Sequence, residues 1–224
     1  MKIAVLGTGD VGLALATKLA AVGHAVVVGS RDAGNPRAAA WSAQTGGEHA
    51  NFADAAAAGE LIVNATNGLA SPLALASAGE ANLADKVLVD VANPLDFSGG
   101  FPPRIATFDA GVSLAEHLQL AFPAAHVVKT LCTVNNAVMV DPARVPGHHH
   151  LFLSGDDIGA KTTTTRLLHD LGWAEPQIID LGGLSSARFQ ENYLGLWLGL
   201  SAALGTSDLN IEVHHAADPH HERV

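Results

Sequence analysis

The chain opens on a short apolar run, Lys2-Ile3-Ala4-Val5-Leu6, that ends directly at Gly7-Thr8-Gly9-Asp10-Val11-Gly12. A run of that length closed by glycines is the pattern of a parallel strand buried on both faces. The spacing G-x-G-x-x-G at a strand-to-helix turn has a specific physical use. Gly7 permits the tight turn, Gly9 lets a pyrophosphate approach the backbone, and Gly12 lets the following helix pack close to the strand. Leu15, Leu19 and Val22 then recur at helical spacing, Gly23-His24 stops the helix, and Ala25-Val26-Val27-Val28 reads as a second buried strand. The β-α-β unit therefore closes within about thirty residues, as a dinucleotide-binding unit requires.

The second strand ends at Gly29-Ser30-Arg31, where the adenosine ribose of a bound dinucleotide would lie. An acidic residue at that place suits the 2′-hydroxyl of NAD. A guanidinium can instead grip a 2′-phosphate through two hydrogen bonds, and a serine hydroxyl can donate another. Ser30 and Arg31 thus predict NADP. Asp32 is read as a cap for the following turn, and Arg37 as a solvated helix residue. Asp10 sits awkwardly beside a pyrophosphate, and is expected to turn away and cap the first helix.

Strands and helices keep alternating. Helices are predicted over 36–44, 53–58, from Pro72, and over 113–121; strands are predicted over 49–52, 61–65, 86–90 and 126–130. That order implies a Rossmann-type, doubly wound and mostly parallel sheet over 1–145. Ligands of such sheets lie beyond the carboxyl ends of the strands, near the switch in strand order. Thr66-Asn67, Ala92-Asn93 and the loop 133–136 all follow strand ends and are candidates to line one cleft. From about 146 to 213 the pattern is a small α/β unit: a strand over 151–155, a helix over 156–171 with Asp156 near its cap, and a strand over 177–180. A long helix over 187–204 is apolar nearly all round and is expected to be buried, in a core or against a partner. The boundary is placed near 142–147, and 214–224 reads as a histidine-rich tail.

The 224 residues are 48% hydrophobic and 15% charged, enough apolar material for a packed core. A formal net charge of −10 argues against nucleic acid and anionic membrane surfaces as partners. The single Cys132 excludes an internal disulfide framework and reads as a small buried hydrophobe. The chain starts on a strand without a basic leader, and its longest apolar run, 194–204, is too short to span a bilayer. A cytoplasmic location is expected. His148-His149-His150, His214-His215 and His220-His221 lack the spacing of a preorganised metal site and read as exposed loop and tail.

The segments G-T-G-D-V-G, V-G-S-R-D, D-V-A-N-P-L, K-T-L-C-T-V-N-N-A-V-M-V-D-P and I-D-L-G-G-L-S-S-A-R-F-Q-E-N together resemble the coenzyme F420-dependent NADP oxidoreductase family. The likeness runs from Lys2 to about Val213. It implies a Rossmann domain with a small C-terminal domain, a homodimer, and hydride transfer between NADPH and the deazaflavin F420. By motif match it places Thr8, Gly9, Asp10 and Val11 at the pyrophosphate, with Ser30 and Arg31 at the 2′-phosphate. It also makes Asn67, Asn93, Asn136, Ala137 and Leu184 cleft residues. No catalytic acid or base stands out. Transfer between two stacked rings needs none, since the cofactors carry the chemistry. Tyr193, the one tyrosine, falls in the long-helix pattern and is expected to pack there. Alternatives are reduction of a flavin, ferric iron, a carbonyl or an imine, or a non-catalytic NADP(H) sensor.

Overall fold

In the computed structural model, residues 1–106, 108 and 111–216 are described. The first strand, β1 (Lys2–Leu6), lies near the middle of an eight-stranded sheet. Its side chains alternate between two cores. Ile3 and Val5 face one core with Leu15, Leu19 and Trp41; Ala4 and Leu6 face the other with Ala55, Leu75 and Leu114. Apolar residues on both faces are what a parallel strand covered by helices on each side demands.

The chain then alternates: α1 (Asp10–Ala21), β2 (Ala25–Ser30), α2 (Pro36–Thr45), β3 (Glu48–Asn51), α3 (Phe52–Ala58) and β4 (Leu61–Asn64). Next come α4 (Ser71–Ala78), α5 (Glu80–Leu83) and β5 (Val87–Asp90), followed by a two-stranded hairpin of β6 (Leu95–Asp96) and β7 (Arg104–Ile105). The remainder is α6 (Leu114–Ala121), β8 (His126–Thr130), α7 (Asn136–Val140), β9 (Leu151–Gly155), α8 (Ile158–Leu171), β10 (Ile178–Asp180) and α9 (Ala187–Leu204). The sheet order is β10-β9-β8-β5-β4-β1-β2-β3. β2 and β4 flank β1 on opposite sides, so the order reverses there and a crevice opens between the ends of β1 and β4.

The C-terminal α/β segment extends this same sheet. β9 pairs antiparallel with β8, and β10 continues parallel to β9. One expectation is corrected here. Asp157, not Asp156, caps α8, accepting from Ala160 N at 2.6 Å; Asp156 instead accepts from Leu184 N at 2.8 Å. The long apolar helix α9 is buried along one stripe only, through Ala187, Gln190, Glu191 and Leu194. Phe189, Leu196 and Leu204 on its other side are 65%, 59% and 63% exposed. Its composition is apolar all round, and among the described residues only a single face is covered, which leaves the other side free to meet a partner.

After α9, residues 205–216 strap back over the loop 141–150. Asp208 pairs with Arg144, and His150 N donates to Ile211 O at 2.9 Å. The expectation of a wholly exposed histidine loop fails at His149. That ring is 3% exposed, edge-on to Trp173, with Nε2 at 3.0 Å from the Pro142 carbonyl and Nδ1 at 2.9 Å from Asn210 Nδ2. His148 is exposed, and His220 and His221 lie outside the described residues. Among the described residues no helix is long and apolar enough to cross a membrane, and no cluster of metal-ligating side chains forms.

Candidate functional site

The glycine turn is fixed by backbone crowding. Gly7 adopts φ +128°, and a Cβ there would lie 2.4 Å from the Ala65 carbonyl; a Cβ on Gly12 would lie 2.2 Å from the Gly7 carbonyl. Gly9 is the opposite case, for a Cβ there meets nothing within 4 Å. The close packing at Gly7 and Gly12 thus seats α1 against the turn, while Gly9 borders open space. The first intrahelical hydrogen bond runs from Leu13 N to Gly9 O at 3.0 Å, so the amides of residues 10–12 precede it. An open cradle over unpaired amides at a helix N-terminus fits a pyrophosphate.

Two adjoining cavities meet at this crevice. The larger, about 720 Å3, includes Gly7, Thr8, Gly9, Ser30 and Arg31 in its wall. The smaller, about 300 Å3, is lined by Val11, Ala92, Asn93, Cys132, Asn136 and Trp197, among others. Ala65, Thr66 and Asn67 line both, so they form the threshold between the two. Together the cavities make a groove along the ends of β2, β1, β4, β5 and β8.

Most of the residues singled out in the sequence meet in this groove, and some do not. Ser30 is buried and its hydroxyl donates to the Asp32 carbonyl at 2.5 Å, while the Arg31 side chain is exposed at the cavity rim. Asp32 caps its turn, accepting from Gly34 N at 2.9 Å. Asp10 does not cap α1: Gly9 is the N-cap, and the Asp10 carboxylate reaches Arg37 at 2.5 Å, outside both cavities. The turn backbone gives α1 its start without a side-chain cap, which frees the carboxylate to turn toward the cation. Ala137 lies behind Asn136 in the first turn of α7 and lines neither cavity. Leu184 is 2% exposed in the core beneath α9, so it too is away from the groove.

A row of buried polar residues escaped the sequence reading. Polar residues at or next to the ends of neighbouring strands stand in register: Asn64 beside Asp90, Asp90 beside Lys129, and Lys129 beside Ser154. Asn64 Nδ2 donates to Asp90 Oδ1 at 2.8 Å, and Lys129 Nζ donates to Asp90 Oδ2 at 2.8 Å and to the Ala92 carbonyl. From α9, Glu191 meets Lys129 Nζ at 2.9 Å and accepts from Leu114 N at 2.9 Å and Ala115 N at 3.3 Å. Gln190 Nε2 donates to Ser154 Oγ at 2.8 Å. Burial penalises the Lys129 ammonium, but Asp90 and then Glu191 outweigh that penalty and hold its pKa above the ordinary lysine value. The signal was available: VLVD finishes on a charge and HVVKT carries one a single residue before its end, each after an apolar run.

The turn after β8 completes the floor. Leu131 takes φ +61°, a left-handed conformation that costs a non-glycine residue about 1 kcal/mol, and packing holds it there. The turn presents the Cys132 carbonyl to Asn93 Nδ2 at 2.6 Å. Burial pushes the Cys132 thiol up to about 12 against the lowering pull of Lys129. Tyr193 lies on α9, and its hydroxyl is buried without a hydrogen-bond partner among the described residues, as are Trp197 Nε1, Asn93 Oδ1 and Thr133 Oγ1.

A doubly wound sheet, a glycine turn open to a pyrophosphate and a cationic rim beside the ribose position define a Rossmann-fold, NADP-dependent oxidoreductase. The family model described as NADP oxidoreductase, coenzyme F420-dependent, matches residues 2–94. The F420-dependent NADP reductase of Methanothermobacter thermautotrophicus is 30% identical over 212 residues, covering 90% of this chain and 89% of the relative. A crystal structure from Arthrobacter sp. FB24, assigned as an F420-dependent NADP reductase, is 47% identical with a TM-score of 0.90, over 96% of this chain and 100% of that one. The chain belongs to the F420-dependent NADP oxidoreductase family. It is also 32% identical over 189 residues to the metalloreductase STEAP3 of Rattus norvegicus, 84% of this chain but only 35% of that protein's length.

Proposed function

We propose that this protein transfers a hydride between NADPH and a deazaflavin of the coenzyme F420 type, with both rings meeting in the smaller cavity. The observation that carries this reading is the chemistry of that cavity. It is walled by asparagines, a threonine, a tryptophan and aliphatic side chains, and among the described residues its one titratable lining group is the Cys132 thiol, pushed up to about 12. Reduction of a carbonyl or imine needs a proton donor at the reacting atom. Passage of a hydride to a ring carbon needs close stacking and exclusion of water.

In this reading the amides of Thr8, Gly9 and the first turn of α1 hold the pyrophosphate, with Val11 below it, while the Gly7 amide donates to the Gly29 carbonyl. Arg31 grips the 2′-phosphate, and Ser30, its hydroxyl engaged by Asp32, shapes that rim from beneath. Thr66, Asn67, Ala92 and Asn93 seat the nicotinamide end, whose dihydropyridine supplies the hydride when bound. Asn136 and Trp197 face the acceptor. The relatives named as F420-dependent NADP reductases support the acceptor class. The exposed stripe of Phe189, Leu196 and Leu204 on α9 supports pairing with a second copy of this chain, since burial of such a stripe is favourable.

The test is to follow NADPH oxidation at 340 nm with F420, a free flavin, a ferric chelate and a panel of carbonyls and imines. Turnover fastest with F420 is expected. Turnover only with carbonyls or imines refutes the acceptor, and tight NADPH binding without any turnover would make the protein a sensor. Light scattering should return the mass of a dimer.

A further inference from the structure

Asp90, Lys129 and Glu191 form an ion cluster shut away from water, with relative exposures of 0%, 0% and 4%. One cation faces two carboxylates, which leaves a single net negative charge in the interior. The other groups packed against it carry no full charge: the amides of Leu114 and Ala115 at the start of α6, the Ala92 main chain, Asn64 and the protonated Cys132 thiol. The Arg188–Glu116 pair, at 2.7 Å, lies one turn away on α9 and is balanced.

The cluster stands directly behind the wall of the smaller cavity. Ala92 is clamped at both ends, its N–H donating to Asp90 Oδ1 at 3.2 Å and its carbonyl accepting from Lys129 Nζ. Ala92, Asn93 and Cys132 are cavity walls, and Asn93 is tied to Cys132. A buried charge one residue layer from a ligand is screened by protein rather than by water. Loss of a hydride turns the neutral dihydronicotinamide ring into a cation. A fixed negative charge behind it therefore favours the oxidised form.

We propose that the Asp90–Lys129–Glu191 cluster biases nucleotide binding toward NADP+ over NADPH, with Glu191 and Asp90 as positioning residues that act through charge. The inference rests on the reading that the nicotinamide end enters the smaller cavity. It assigns a thermodynamic task to groups that no step of the transfer uses.

The experiment is calorimetric titration of the purified protein and of Glu191→Gln and Asp90→Asn with NADP+, NADPH and adenosine 2′,5′-bisphosphate. Each variant removes one negative charge with little change of shape. The ratio of Kd for NADP+ to Kd for NADPH is expected to rise about fivefold in each, while the bisphosphate, which lacks the nicotinamide, binds as to wild type. Damage to the fold would instead weaken all three ligands together. An unchanged ratio in variants that still bind the bisphosphate overturns the proposal. Asn136→Trp, which fills the smaller cavity, separates the underlying reading. It should weaken NADPH but spare the bisphosphate; equal NADPH binding there would refute the cavity assignment itself.

Discussion

The two ends of the groove are built by different means. At the glycine turn the recognition elements are backbone: amides, a carbonyl that tolerates no Cβ, and an open space at Gly9. At the smaller cavity they are side chains drawn from the turns after β4, β5 and β8 and from α7 and α9, held by a buried ion cluster. A backbone site depends on a few local dihedrals and so leaves a short motif. A side-chain site depends on which strands become neighbours, and that is settled only when the sheet assembles.

The sharpest break of this comparison is Lys129→Met. Removing the cation leaves Asp90 and Glu191 buried without a counter-charge, and breaking a buried pair by deleting one partner costs about 4 kcal/mol. Urea unfolding of the variant should show that loss. A cost below about 1 kcal/mol would mean that the cluster does not hold the cavity floor. The glycine end should respond in the opposite way. Gly9→Ala should leave the unfolding midpoint near wild type, because the new methyl meets no protein atom, yet weaken NADPH by about a hundredfold by filling the cradle. Gly12→Ala should lose both stability and binding. Equal behaviour of the two glycine variants would erase the distinction between cradle and packing.

The same contrast explains what the sequence revealed. The succession of main-sheet strands along the chain was legible, because each buried strand is a short apolar run between turn residues, whereas the short α5 and α7 and the β6–β7 hairpin were not. The cofactor preference was legible because Ser30 and Arg31 directly follow such a run. Asp90 and Lys129 were not. Asp90 ends its strand and Lys129 stands one residue before the end of its own, and their meaning arises only from the register that pairs them. Leu184 misled for a related reason: the segment matches a family motif, but its side chain turns into the core and its backbone N–H is held by Asp156. Helix α9 was placed correctly along the chain, but which of its faces meets the core was not legible, since apolar composition does not say how many faces have neighbours within one chain.

Cys132 tests the dryness of the cavity floor through pH. Its folded pKa is pushed up to about 12 from an ordinary thiol value of 9.0. A raised folded pKa means the contribution is fully present below the unfolded value and is lost as pH rises toward the folded one. Between pH 9 and 10.5 the unfolded chain ionises while the native thiol stays protonated, and stability should fall by about 2 kcal/mol from this group. Cys132→Ala should flatten that part of the profile. Parallel profiles for the two proteins would mean that water reaches the thiol.

The smallest effect belongs to Asp10, where the backbone site carries its one conspicuous side chain. Its carboxylate is paired with Arg37, but side-chain exposures of 79% and 54% leave both groups largely hydrated. Such a pair contributes less than about 0.5 kcal/mol to stability, so Asp10→Asn should unfold at nearly the same urea concentration as wild type. Binding should register the change in the other direction. The carboxylate lies beside the amides offered to a pyrophosphate, and removing it relieves repulsion while releasing Arg37, so NADPH should bind about threefold more tightly at low salt. Because these charges sit in water, the gain should vanish near 0.5 M salt, where the screening length is only about 4 Å. A gain that survives salt would mean that Asp10 works through the geometry of the turn, and the glycine end would then depend on a side chain after all.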